Sequence, residues 1–167
     1  AEKYANNSIY QNNPRLTGGY ECFGYANELA IYVWGSYPTN SMSAVRVNDG
    51  WSVTYGGAAV DNLCVGDIVR YWCHSIFITG IDGDTVYYCQ ANYPEKTNKV
   101  TYDNCIARST LKNQVSNQLT SWGTDRTGWV AHYTNAGTYT VTCKHEYNNK
   151  GICALCGEAY AFNASAD

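Results

Sequence analysis

Residues 67–93 read DIVRYWCHSIFITGIDGDTVYYCQANY, and their pattern decides what kind of fold the chain makes. Three runs rich in β-branched and aromatic residues, 67–72, 74–81 and 85–93, predict three strands. DGD at 82–84 predicts a hairpin turn between the last two, so these pair antiparallel. A further strand is expected at 99–104 (KVTYDN), after a turn at YPEKTN, and a closing strand at 128–133 (GWVAHY). Residues 109–122 read as a short helix or a loop. Residues 36–63 carry mixed signals, with turns at RVNDGW and TYGGAAVDN.

Upstream of the strands the period changes. In ECFGYANELAIYVWG, residues 21–35, the apolar positions Phe23, Ala26, Leu29, Ala30, Val33 and Trp34 follow the spacing of a one-faced helix. Gly35 and Pro38 supply its stop. Cys22 falls at the first turn, on or beside the buried face. Backbone N–H groups and the helix dipole stabilise a thiolate there, although a buried cysteine is also an ordinary small core residue. Residues 1–16 read as an extended arm. The expectation is an α+β domain over 17–135, with this helix packed on an antiparallel, partly barrelled sheet.

Composition narrows the function classes. A net charge of −3 and a low charged fraction give no electrostatic footprint for nucleic acid or an anionic membrane surface. No apolar run approaches the roughly 18 residues a membrane span needs. Sixteen tyrosines and few lysines suit a polar-surfaced, secreted protein, and the N-terminal AEKYANNS reads as a mature or trimmed start.

Eight cysteines divide into one, four and three along the chain. After a polar linker at 136–141, the tail 142–167 contains Cys143, His145, Cys153 and Cys156 as C-x-H-x7-C-x2-C-G. Four such ligands match the closed tetrahedral set of a structural zinc site, and a segment this short needs a metal to fold. Disulfides or a redox pair are the alternative, but three cysteines cannot pair completely. Cys64, Cys73, Cys89 and Cys105 form an even set that permits three pairings, or none in a reducing compartment. At least one bridge is expected, because these cysteines flank strands and turns.

A nucleophilic thiol needs a base, and the base needs an orienting partner. His74 opens the strand HSIFITGI. With a three-residue DGD loop, paired residue numbers sum to 166, which places His74 opposite Asn92 and Ile76 opposite Gln90, all on one face. A one-residue slip places Ala91 there instead. His132, at the end of the closing strand, has no evident partner and reads as structural.

The order ECFGYANELA, VGDIVRY, HSIFITGID, QANY resembles the CHAP family of cysteine, histidine-dependent amidohydrolases and peptidases, which belongs with the NlpC-type, papain-like peptidoglycan hydrolases. The resemblance covers about residues 17–135. It implies a papain-like fold, Cys22 as nucleophile, His74 as general base, and Gln90 with Asn92 as polar partners. Peptidoglycan or a peptide is the implied substrate. Gln90 stands where many members have glutamate, and Glu21 precedes the nucleophile where glutamine is frequent. The zinc-ribbon-like tail resembles endings found on secreted bacterial proteins. Two competing readings remain: a non-catalytic wall- or glycan-binding module on a papain-like shell, and an intracellular cysteine protease.

Overall fold

The structure, a computed structural model, describes residues 6–10, 21–94, 96–119 and 126–134. The chain divides into two units, residues 1–136 and 137–167. The second unit lies outside the described residues, as do the expected linker at 136–141 and the zinc ligands Cys143, His145, Cys153 and Cys156.

The first unit is α+β. Its strands are β1 (Trp51–Tyr55), β2 (Ile68–Tyr71), β3 (His74–Asp82), β4 (Thr85–Ala91), β5 (Val100–Ala107), the two-residue pair β6 (Gln118–Leu119) and β7 (Arg126–Thr127), and β8 (Trp129–Tyr133). Helix α1 is Cys22–Trp34, helix α2 is Arg108–Ser116, and a 3-10 segment spans Gly57–Asn62. Six strands form one antiparallel sheet in the order β1-β8-β2-β3-β4-β5. That order is linear, with β1 and β5 as edges, so the sheet is open and the expected partial barrel is not formed.

Both faces of the sheet are covered, which explains why all four residues of β2 are buried instead of alternating. On one face, Phe23, Ala26 and Ala30 of α1 pack with Ile68, Phe77, Trp129 and Ala131. On the other, Leu111 and Val115 of α2 and Val60 of the 3-10 segment pack with Val69, Ile76, Ile78 and Val130. Helix α1 stops where expected: Gly35 takes the left-handed conformation (φ 71°) and its N–H bonds the Ile31 carbonyl. Val33, expected on the apolar face, is 46% exposed. Buried Asn27 takes a place on that face instead, and its Nδ2 donates to the Thr39 carbonyl at 2.9 Å. The helix is thereby tied to the loop that follows it.

The mixed region 36–63 contributes β1, which pairs with β8 from Trp51↔Tyr133 to Tyr55↔Trp129. Gly128, just before β8, permits close approach: a Cβ there would stand 2.8 Å from the main-chain oxygens of Arg70 and Val115. At the opposite edge the N-terminal arm continues the ladder onto β5, through Asn7 N–H to the Val100 carbonyl and Val100 N–H to the Ser8 carbonyl. Tyr10 is buried against the edge of Tyr25 from α1 and bonds Glu28 at 2.8 Å.

The β3–β4 hairpin departs from expectation in an instructive way. Asp82 pairs with Thr85, so the turn has two residues, Gly83 and Asp84, and paired numbers sum to 167. A bulge between Ile78 and Gly80 then returns the register to the expected sum of 166, with Ile78↔Tyr88 and Phe77↔Cys89. The loop length was misread, but beyond the bulge the register is the one anticipated.

Candidate active site

Strand β3 begins at His74, whose side chain is buried. Alternation puts its ring on the same face as Ile76 and Ile78, the face packed by α2. There Nε2 lies 2.7 Å from Gln90 Oε1. The amide in contact is therefore Gln90, diagonal to His74 across the β3–β4 pair, and not Asn92. Strand β4 ends at Ala91, and Asn92 turns away at φ 58°. Its Oδ1 accepts the Asn98 N–H at 3.1 Å, so Asn92 closes the turn leading to β5.

A chain of amides fixes the protonation of the ring. Asn104 Nδ2 donates to the carbonyls of Tyr88 (3.2 Å) and Thr101 (3.0 Å), which can only accept. That orientation turns Asn104 Oδ1 toward Gln90 Nε2 at 3.4 Å, and hence Gln90 Oε1 toward His74. His74 Nε2 must then carry the hydrogen, which leaves Nδ1 as the proton acceptor. Burial holds the His74 pKa below its ordinary value; the Gln90 hydrogen bond opposes this shift and the Arg70 charge adds to it. The ring is accordingly a neutral base near pH 7.

Cys22 reaches the start of β3 from the α1 side. Its Sγ lies 3.7 Å from the Cys73 carbonyl, and the Ser75 N–H favours its charged form, so the thiol sits near the main chain on both sides of His74. No hydrogen bond joins Cys22 Sγ to the His74 ring among the described residues. Burial pushes the Cys22 thiol up, and Glu21 adds to that. The Arg70 charge and the Ser75 and Phe23 N–H groups pull it back. Cys22, His74 and Gln90, singled out in the sequence, thus gather at the start of β3, and beside them lies Arg70, which was not singled out. Its signal is a single charged residue inside the otherwise apolar run DIVRYW.

A cavity of about 350 Å³ opens beside His74 and Gln90. Tyr71, Trp72, Tyr88 and Tyr93 supply its aromatic walls, and among the described residues no carboxylate, lysine or arginine lines it. The His74 ring sits 5.1 Å from Tyr93 and 5.9 Å from Tyr71, centroid to centroid. Trp72 and Tyr93 are more than half exposed, so the mouth of the cavity presents aromatic surface to solvent.

The remaining cysteines correct one expectation. Cys22, Cys64, Cys73, Cys89 and Cys105 are all thiols, and no bridge joins the central four. Cys105 pairs with Tyr87, two residues before Cys89 on β4, so both thiols lie on one face of the sheet, Cys89 buried against Tyr25 of α1 and Cys105 out where solvent reaches. His132 also has a partner after all: its Nδ1 lies 2.8 Å from Oδ1 of buried Asp67. Cys64 Sγ joins this pair, with ligand-type atoms of all three residues within 4.8 Å of one another. Such donors suit a thiophilic metal. Both Asp67 oxygens are already engaged, Oδ2 by the Cys64 N–H at 2.7 Å, so the carboxylate orients His132 and closes the turn before β2.

No protein-family model and no curated protein matches the sequence. Among solved structures, the chain is similar to Ly7917 at 15% identity and a TM-score of 0.48, over 69% of this chain and 54% of that one. It is also similar to Ly7917 with the hydrolyzing product of MDP, at 17% identity and a TM-score of 0.37, over 65% of this chain and 38% of that one. The aligned part is thus about half or less of those chains. No helix among the described residues is long and apolar enough to cross a membrane.

Proposed function

We propose that this chain is a secreted cysteine hydrolase of papain-like architecture that cuts amide bonds in peptidoglycan, as an endopeptidase or as an amidase at the sugar–peptide junction. One observation carries the reading. Cys22, at the first turn of α1, holds its sulfur 3.7 Å from the carbonyl preceding His74, a histidine whose Nε2 is occupied by Gln90 and whose Nδ1 is left to accept a proton.

In this mechanism the Cys22 sulfur attacks the amide carbonyl carbon while the thiol proton passes to His74 Nδ1 through one water at the head of β3, because the two side chains lie on opposite faces of the sheet. The Cys22 N–H, one of the unpaired donors of the first helical turn, stabilises the oxyanion. The C–N bond then breaks as His74 returns the proton to the leaving amine, and water hydrolyses the thioester. Gln90, held by Asn104, keeps the ring in the required tautomer, while Asn92 acts on the loop.

The test is alkylation. Iodoacetamide near neutral pH, scored by peptide mapping, is expected to label Cys22 faster than the solvent-exposed Cys64 and Cys105. A Cys22 that stays inert while those two react sinks the hydrolase. It would leave a glycan-binding module, which the uncharged aromatic cavity and the 4% exposure of Cys22 favour.

A structural zinc on Cys143, His145, Cys153 and Cys156 belongs to the same proposal and rests on their spacing. Metal analysis of purified protein should find about one zinc per chain. Joint Cys153→Ser and Cys156→Ser replacement should remove it, and retention by that variant would exclude the tail as the site. Secretion rests on composition, because the described thiols give it no support and are equally the state a reducing compartment maintains.

A further inference from the structure

Arg70 is the one charge inside the central strand, and it is buried. Its Nη1 donates to Ser75 Oγ at 2.7 Å, its Nη2 lies 3.4 Å from Met42 Sδ, and its guanidinium carbon sits 5.4 Å from the centroid of the Phe23 ring. These partners are neutral. Among the described residues no carboxylate forms an ion pair with Arg70. A buried guanidinium with neutral hydrogen-bond partners is a costly arrangement that an anion beside it offsets; the Glu21 charge supports Arg70 from the start of α1, and the Cys22 sulfur acts on it more strongly. The residues around it indicate which anion. Phe23 is the neighbour of Cys22 in α1, and Ser75 supplies both the hydroxyl that holds Arg70 and the N–H that faces the Cys22 sulfur. The side chains of Arg70 and Cys22 therefore meet on the α1 face of the sheet, while the His74 ring lies on the other.

We infer that Arg70 is the counter-cation of the Cys22 sulfur, stabilising on the α1 face of the sheet the thiolate that forms as the thiol proton leaves for His74, which then returns that proton to the leaving amine. This deepens the hydrolase reading and rests on it for its meaning. It also accounts for the neutral amide at position 90. With the positive charge supplied by Arg70, the site needs no carboxylate to hold an imidazolium. Burial dominates at rest, holding the Cys22 thiol above and the Arg70 guanidinium below their ordinary values, but each is the largest influence opposing that shift in the other. Other titratable groups bear on the pair from each packed element. Glu21 ahead of α1 opposes the thiolate, Tyr71 on β2 couples to Cys22, and Cys73 and His74 at the start of β3 couple to Arg70.

The experiment is the pH dependence of Cys22 alkylation by iodoacetamide, read by peptide mapping so that Cys22 and Cys73 are scored separately. An adjacent opposite charge shifts a thiol by about one to three pH units. Arg70→Met, which keeps most of the volume, should therefore raise the Cys22 midpoint by at least about one unit and slow alkylation at pH 7 at least about tenfold. Arg70→Lys should stay close to the parent. A folded Arg70→Met protein with an unchanged midpoint overturns the inference. If that variant does not fold, the unmodified protein still decides. The 15N resonance of Arg70 Nε should titrate at the alkylation midpoint of Cys22 and lose that step in Cys22→Ala, and an Nε signal that ignores the Cys22 titration is equally fatal. Neither readout requires hydrolysis, so an ion pair that is present in a protein without activity refutes the hydrolase and not the pair.

Discussion

Replacing His74 by alanine is expected to lower kcat/KM for amide hydrolysis by about a hundredfold to ten-thousandfold, the usual worth of a positioned general base. The reason is specific to this ring. Its Nε2–H is committed to Gln90, which Asn104 holds against two main-chain carbonyls, so the hydrogen-bond chain presents Nδ1 for proton transfer. The same replacement should change the pH dependence of stability. Burial keeps the His74 pKa below the ordinary 6.5, so the folded protein prefers the neutral ring. Its contribution is complete above the unfolded value. It declines as pH falls below that value and through the lower folded one, because the unfolded chain takes up the proton first. Thermal melts of the parent should therefore lose Tm on acidification below about pH 6.5, and His74→Ala should lose less over the same range. Equal acid sensitivity in both proteins would show that the ring is not held neutral.

Much of the fold was legible because its signals are local. The helix period from Phe23 to Trp34, Gly35 as its stop, and the alternation in β3 and β4 each follow from side-chain direction along a single element. Strand β1 was not legible. WSVTY is a short edge strand with one buried residue, Trp51, and it pairs with β8, far away in sequence, so no local pattern announces it. The start of α2 was masked for a related reason: β5 runs on to Ala107, three residues past the expected end, and hands directly to the helix at Arg108.

At the site, residue types were easier to read than contacts. Hairpin arithmetic brought His74 and the amides of QANY to one end of the sheet. It could not foresee that β4 ends at Ala91, which frees Asn92 for the turn and leaves Gln90 to reach the ring. Nor does sequence distance reveal Asp67 beside His132, since β2 and β8 become neighbours only through the sheet. Arg70 was overlooked because one arginine in a strand ordinarily marks a solvent-facing position. It becomes informative only once α1 is known to cover that face.

The most direct test of the central claim is a comparison of purified peptidoglycan incubated with the parent protein and with Cys22→Ala, resolved by mass spectrometry. Every bond-making step assigned here runs through the Cys22 sulfur. Losing that atom should cost at least about a thousandfold in rate, whatever becomes of His74 and Arg70. The folded core need not suffer, because alanine suits the first turn of a helix and Ser75 Oγ still holds Arg70 when the Cys22 sulfur is gone. The account predicts new fragments, each from one amide cleavage, with the parent and none above background with Cys22→Ala. The same fragments from both proteins, or from neither, would contradict it.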